Sequence, residues 1–285
     1  MTDETDVLEP VPTVGPFLRE KLLRLDQRVS EGAGRLTSSP SDDEAVHDLR
    51  VALRRLRTVL EVGRPVLGRY FVDEVRRSFR DVHRATGALR DEEVLLKVAG
   101  GLSITHPDMV RWLPARRRRE QHLRRGLVRH VTAGEIATGH RMLSALLAFR
   151  IKPSRDAPLA KFGRRAVENS LRGVQRRRDA DPDDPAALHQ LRIAYKRLRY
   201  TVETFAGVLP PELGVLAQPA ANFQGRLGEI HDVDMVTVCA RRARSLSHAA
   251  RQEVVQALAQ ARQRLMRSYA EDLALSALAP TIPPR

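Results

Sequence analysis

With 285 residues, 42% of them hydrophobic, the chain can bury one large core or two ordinary ones, so disorder is excluded as its default state. Lys and Arg outnumber Asp and Glu by 49 to 35, a net +14 at pH 7, and most of these cations are arginine, whose planar fork suits phosphate; a polyanionic partner is the first expectation. A lone cysteine, Cys239, excludes an internal disulfide and a cysteine-built metal site, and 4% aromatic residues are too few for the stacking platforms of single-strand nucleic-acid binders.

The chain opens on the acidic run Met1-Thr2-Asp3-Glu4-Thr5-Asp6 with no apolar stretch behind it, so a secretory signal is not expected. No apolar run approaches bilayer length, and a cytoplasmic protein is the expectation. Beyond a frayed tail over 1–15, nearly every stretch between punctuators has helical period, and the alternating β-branched runs of strands are missing. The fold class is therefore all-α. Expected helices run over 16–37, 41–63, 70–87, 91–101, 107–131 and 135–149. The segment Lys152-Pro153-Ser154-Arg155-Asp156-Ala157-Pro158 then punctuates the chain. A second set follows over 157–179, 185–207, 211–227, 232–246 and 248–274, with a tail over 279–285.

The two sets contain matching segments. Residues 46–57 read VHDLRVALRRLR and residues 188–199 read LHQLRIAYKRLR, seven of twelve positions being identical. Further on, Gly87-Ala88-Leu89-Arg90-Asp91 corresponds to Gly228-Glu229-Ile230-His231-Asp232. Two matches in the same order indicate an internal duplication, with one helical-bundle repeat over 16–150 and another over 151–278. Ser41-Asp42-Asp43-Glu44 supplies a capping-box pattern before the first marked helix, and Asp184-Pro185 an N-cap with an N1 proline before the second. Asp91 and Asp232 are read as caps of the helices that follow their glycines.

On the first marked helix His47, Arg50, Arg54 and Arg57 fall within an arc of about 80°, opposite an apolar face of Leu49, Leu53, Leu56 and Leu60. The second carries His189, Arg192, Lys196 and Arg199, with Tyr200 projecting to the basic side, where its hydroxyl can donate to a phosphate oxygen. No carboxylates alternate with these cations, so water, salt or a bound anion must compensate their repulsion, and duplication of the stripe favours the anion. A metal role is weak, because the partner Asp48 is replaced by Gln190 in the second copy. The run Arg116-Arg117-Arg118-Arg119 winds around its helix and reads as a solvated or auxiliary surface. Arg76, Arg80, His83 and Arg84 share one helix face and can extend the groove, though the second set lacks such a cluster.

At these residues the chain resembles the CHAD family of α-helical domains, whose approximate pattern H-x-x-R-x-x-x-[RK]-R-x-R matches both Val46–Arg57 and Leu188–Arg199. A later Leu-Gly-x-x-x-Asp element is similar to Leu227–Asp232 and, less fully, to Thr86–Asp91. The resemblance spans about 15 to 275 and implies two pseudo-symmetric antiparallel helical bundles whose basic faces meet at a central groove or pore where inorganic polyphosphate binds. It assigns binding to His47, Arg50, Arg54, Arg57, His189, Arg192, Lys196, Arg199 and Tyr200, with Arg55 and Arg197 second; Arg80 and Arg84 join the second rank from their shared helix face. Non-catalytic binding, with polyphosphate granules as a destination and granule proteins as partners, is the leading expectation, with no cofactor or metal. Protonation of His47 and His189 is expected to tighten binding below about pH 6.5. The rival readings are nucleic-acid backbone binding and a metal-dependent phosphohydrolase built on His47-Asp48 or His231-Asp232.

Overall fold

The computed structural model describes residues 11–275 apart from 133, 150, 153 and 154. The expected tail 279–285 lies outside the described residues, as does most of 1–15. The chain is all-α, running α1 (Val14–Ser38), α2 (Asp43–Leu67), α3 (Arg69–Ala85), α4 (Gly87–Gly100), α5 (Pro107–Thr132), α6 (Glu135–Ala148), α7 (Leu159–Gln175), α8 (Pro185–Phe205), a one-turn α9 (Pro211–Gly214), α10 (Ala217–Arg242) and α11 (His248–Leu275). None of these helices is long and apolar enough to cross a membrane.

The two marked helices start as their capping residues dictate. At α2 the cap is Asp42, one residue past Ser41, and its carboxylate accepts the backbone N–H groups of Glu44 and Ala45 at 2.9 and 3.2 Å. At α8 Asp184 accepts from Ala186 N–H at 2.8 Å, with Pro185 in the first turn. Helix α2 ends at Gly68, whose φ of 94° turns the chain sharply into α3 and is open to glycine at little cost. A Cβ on Gly32 of α1 would meet the Leu49 backbone at 3.0 Å, so glycine there lets α1 and α2 pack close.

Two expected boundaries are corrected. Asp91 and Asp232 cap nothing, because α4 already begins at Gly87 and α10 passes unbroken through Gly228 and Asp232. The expected helices 211–227 and 232–246 are largely one rod: Phe223, Leu227, Ile230, Val233 and Val236 keep one buried face in phase across Gly228. One glycine costs a helix about 1 kcal/mol, which that burial outweighs.

Three apolar clusters hold the helices together. The first gathers α1, α2, α3 and α6 around Leu18, Leu53, Leu56 and Phe79, and also takes in Leu159 of α7 and Phe205 of α8. The second joins α7, α8, α10 and α11 through Leu191, Leu198, Tyr195 and Phe223. The third is drawn from both sides of the connector, with Leu95, Met109 and Trp112 packing against Val236, Val254 and Leu258. The connector itself clasps the start of α1: Thr13 Oγ1 and Gly15 N–H both donate to Asp156, Val14 N–H donates to Ala157 O, and Leu159 N–H donates to Pro12 O. Packing α2 against α8 brings the two basic stripes to one place.

Candidate functional site

Helices α2, α3 and α8 enclose a cavity of about 380 Å³ lined by Arg54, Arg57, Thr58, Glu61, Arg76, His83, Ile193, Lys196, Arg197 and Tyr200. The apolar faces of α2 and α8 are fixed in the cores by Leu53, Leu56 and Leu198, which turns part of the opposite arcs toward this space. Arg50 stands at one end, its guanidinium donating to the Thr86 hydroxyl, which in turn donates to His83 O at 2.7 Å.

Among the described residues, Arg50, Arg54, Arg57, Arg192 and Lys196 form no ion pair. The Nε atoms of Arg54, Arg57 and Arg192 are buried without a hydrogen-bond partner. Their proton affinities record the resulting stress. Burial first, then Arg54 and Arg90, pushes Arg50 down to about 10. Burial first, then Arg54, Arg192, Arg57 and Arg50, pushes Lys196 down to about 8. Arg57 is lowered by burial and by Arg76, Arg80 and Arg84, and Arg192 by burial and by Arg54 against an opposing pull from Asp232. His83 is half-buried among them, its buried Nε2 without a partner, and burial with Arg50, Arg57, Arg54 and Lys196 holds it down to about 3. At neutral pH it is an uncharged imidazole amid cations.

Of the expected stripe, Arg54, Arg57 and Lys196 line the cavity, while Arg50 and Arg192 lie outside its lining but near enough to act electrostatically on Lys196. His189 lies at the edge of the stripe, its ring 4.9 Å from that of His231, with burial and His231 lowering its proton affinity. Tyr200 is buried, 5% exposed, with its ring flanked by the guanidiniums of Arg55 and Arg199 at 5.7 and 5.6 Å. It lines the cavity on one side and, on the other, a second basic hollow with Lys21, Arg28 and Arg55.

Other expected residues are placed elsewhere. His47 is exposed in the first turns of α2 and makes no hydrogen bond to a described residue. Arg199 does not join the cavity lining; its Nε donates to Glu203 at 2.6 Å, one helical turn on. Arg55 also donates to Glu203, at 2.9 Å, while Arg197 lies at the cavity rim 3.9 Å from Glu61. Arg80 and Arg84 sit 3.9 Å from Asp81 and act on Arg57 from α3.

Residues ranked low or left unread in the sequence matter here. His83 lies at the centre, and Arg90 and His231, which hold equivalent positions in the second matching segment, act respectively on Arg50 with Arg192 and on His189. A basic residue at the same place in both segments was the signal for that pair. The arginine run of α5 is in part internal: Arg116 and Arg119 bind Glu92, which is 3% exposed. No group of three or more His, Cys, Asp or Glu side chains suited to holding a metal ion occurs among the described residues.

The geometry is thus a concave cluster of cations with few carboxylates, an arrangement chemically able to accept an anion with several charges. The model of the CHAD domain family matches residues 19–241. Among solved structures the chain is similar to the CHAD domain from the plant Ricinus communis, with a TM-score of 0.67 at 20% identity over 99% of this chain and 93% of that one. It is similar also to PptA from Streptomyces chartreusis, with a TM-score of 0.69 at 15% identity over 92% of this chain and 100% of that one. A search of curated proteins gives no significant match. At these identities the solved structures bear on the fold alone, whereas the family match spans most of the sequence and includes both basic stripes. The chain belongs to the CHAD domain family.

Proposed function

We propose that the protein binds inorganic polyphosphate, without turning it over, in the cavity between α2, α3 and α8, and that this binding directs it to polyphosphate granules. The observation that carries the reading is the convergence of Arg50, Arg54, Arg57, Arg192 and Lys196, none of them ion-paired among the described residues, with Glu61 the one carboxylate on the cavity wall. A linear polyanion answers each requirement: its oxygens accept from guanidinium forks, its charges relieve the repulsion that lowers Lys196, and it has no bases that need aromatic stacking. Membership of the CHAD family supports the same ligand.

Two features weigh against the rival readings. The cations lie in a hollow of about 380 Å³ instead of being spread over an open face, which suits a thin linear polyanion better than a duplex read across its grooves. Of the two His-Asp dipeptides, Asp48 is held by Arg35, and Asp232 acts electrostatically on Arg192. The test is equilibrium binding of labelled long-chain polyphosphate to the wild type and to Arg54→Gln/Lys196→Gln, with duplex DNA as competitor at equal phosphate concentration. Loss of at least tenfold in the double variant and poor competition by DNA support the reading. Unchanged affinity, or easy displacement by DNA, overturns it.

A further inference from the structure

A second and larger cavity, about 810 Å³, lies between the end of α2, the connector and α7, outside the polyanion site. One part of its wall is apolar, built by Val62, Pro65, Val66, Ala157, Phe162 and Ala166, and the Glu61–Arg64 ion pair, Asn169, Ser170 and Arg197 complete it. Its edge carries Arg69, Arg155 and Arg165, which are exposed and have no carboxylate partner among the described residues. An apolar floor under unpaired guanidiniums selects a ligand with carboxylates and short apolar side chains together.

Such a ligand is tethered next to it. Residues 12–14 are held against 156–159 by the Thr13–Pro158 bridge and by hydrogen bonds from Val14 N–H to Ala157 O and from Leu159 N–H to Pro12 O. Ala157 is itself part of the cavity wall. The sequence ahead of that anchor, MTDETDVLEP, has Asp3, Glu4, Asp6 and Glu9, no Lys or Arg, and the apolar pair Val7-Leu8. Ten residues reach up to about 33 Å when extended, enough to cross the cavity from Thr13. Tethering at this distance corresponds to a local concentration on the order of millimolar, so weak contacts suffice.

We propose that the acidic segment 1–10 docks in this cavity, with Val7 and Leu8 against Phe162 and Val66 and its carboxylates on Arg69, Arg155 and Arg165. The segment then occupies three cations that adjoin the polyanion site, since Glu61 and Arg197 line both cavities. The inference is independent of which anion the neighbouring site takes.

The test is a distance measurement by pulsed electron resonance on the full chain, with spin labels at Thr5→Cys and Lys161→Cys in a Cys239→Ser background. A narrow distribution is expected in the parent. It broadens at least twofold when Asp3, Glu4, Asp6 and Glu9 are replaced by Asn or Gln, and again when Arg155 and Arg165 are replaced by Gln. Arg155 and Arg165 are exposed and outside the apolar clusters, and circular dichroism of every variant is expected to report an intact fold. A broad distribution in the parent, or a narrow one indifferent to both sets of substitutions, overturns the proposal.

Discussion

Arg55 of α2 donates to Glu203 of α8 at 2.9 Å, and the residues at the matching places in the other helix approach in reverse, Arg197 of α8 lying 3.9 Å from Glu61 of α2. The two helices thus hold each other by exchanged ion pairs. Both pairs flank the row of unpaired cations and supply attraction where the cavity supplies repulsion. Being partly exposed, each contributes about 0.5–1 kcal/mol. Glu61 also holds Arg64 and Arg76, and Glu203 also holds Arg199, so Glu61→Gln/Glu203→Gln is expected to lower unfolding free energy by about 1–3 kcal/mol in urea titration, while tightening polyphosphate binding because Glu61 leaves the cavity wall.

Single substitutions should separate the lining from the periphery. Arg54→Gln and Lys196→Gln are each expected to weaken polyphosphate binding about tenfold and to reduce the slope of log affinity against log salt by about 1. His47→Ala, at an exposed position, should change affinity less than twofold. Isothermal titration at three salt concentrations checks both, and an equal loss at His47 would move the site toward the start of α2.

Lys196 gives the site an alkaline limit. Its cation is disfavoured in the folded protein, with a value of about 8, so the charge is lost as pH rises from 7 to 9 and polyphosphate affinity should fall over that range. Lys196→Arg, which stays charged, should flatten the profile. For stability the sign is opposite. The folded value lies below that of a free lysine, so the penalty is complete below about pH 8 and is relieved as pH climbs toward the unfolded value. Lys196→Met should therefore stabilise the ligand-free protein at pH 7, by on the order of 2 kcal/mol, at the expense of binding.

The acid side differs from what imidazoles of ordinary basicity would give. His83, held down to about 3 by burial and four cations, and His189, lowered by burial and His231, are both neutral in the free protein at pH 7. A bound polyanion cancels that repulsion, so binding should take up protons. Calorimetry at pH 6 in buffers of different ionisation enthalpy is expected to show net uptake, reduced in His83→Gln. For His189 the tightening expected below about pH 6.5 should accordingly move to lower pH, since protonation adds charge only where the free site tolerates it.

Glu92 tests the arginine run. Its buried carboxylate holds Arg116 and Arg119, so Glu92→Gln should destabilise by about 2–3 kcal/mol in chemical denaturation with little effect on polyphosphate affinity.

The sequence made the cavity's floor readable and left its edges obscure for identifiable reasons. Arg50, Arg54, Arg57, Arg192 and Lys196 were placed by helical phase, because apolar neighbours fix which way α2 and α8 face. Phase could not show that Arg199, though on the stripe, has Glu203 one turn ahead and pairs with it. Nor could it bring His83 into the centre, since that depends on how α3 turns at Gly68 and packs on α2. Asp91 and Asp232 looked like caps because a glycine precedes each closely; tertiary packing instead carries both helices past them. Glu92 fell unseen because its partners are a helix away.

The third apolar cluster, shared by Trp112 and Leu95 with Val236 and Leu258, has a consequence for any attempt to divide the molecule. Expressed alone, residues 1–150 would present Leu95, Met109 and Trp112 to water and lack the Phe205 ring that seals Leu18 and its neighbours. Neither portion retains a complete interior, so fragments should aggregate apart and recover structure only when mixed, and the intact chain should melt in one transition.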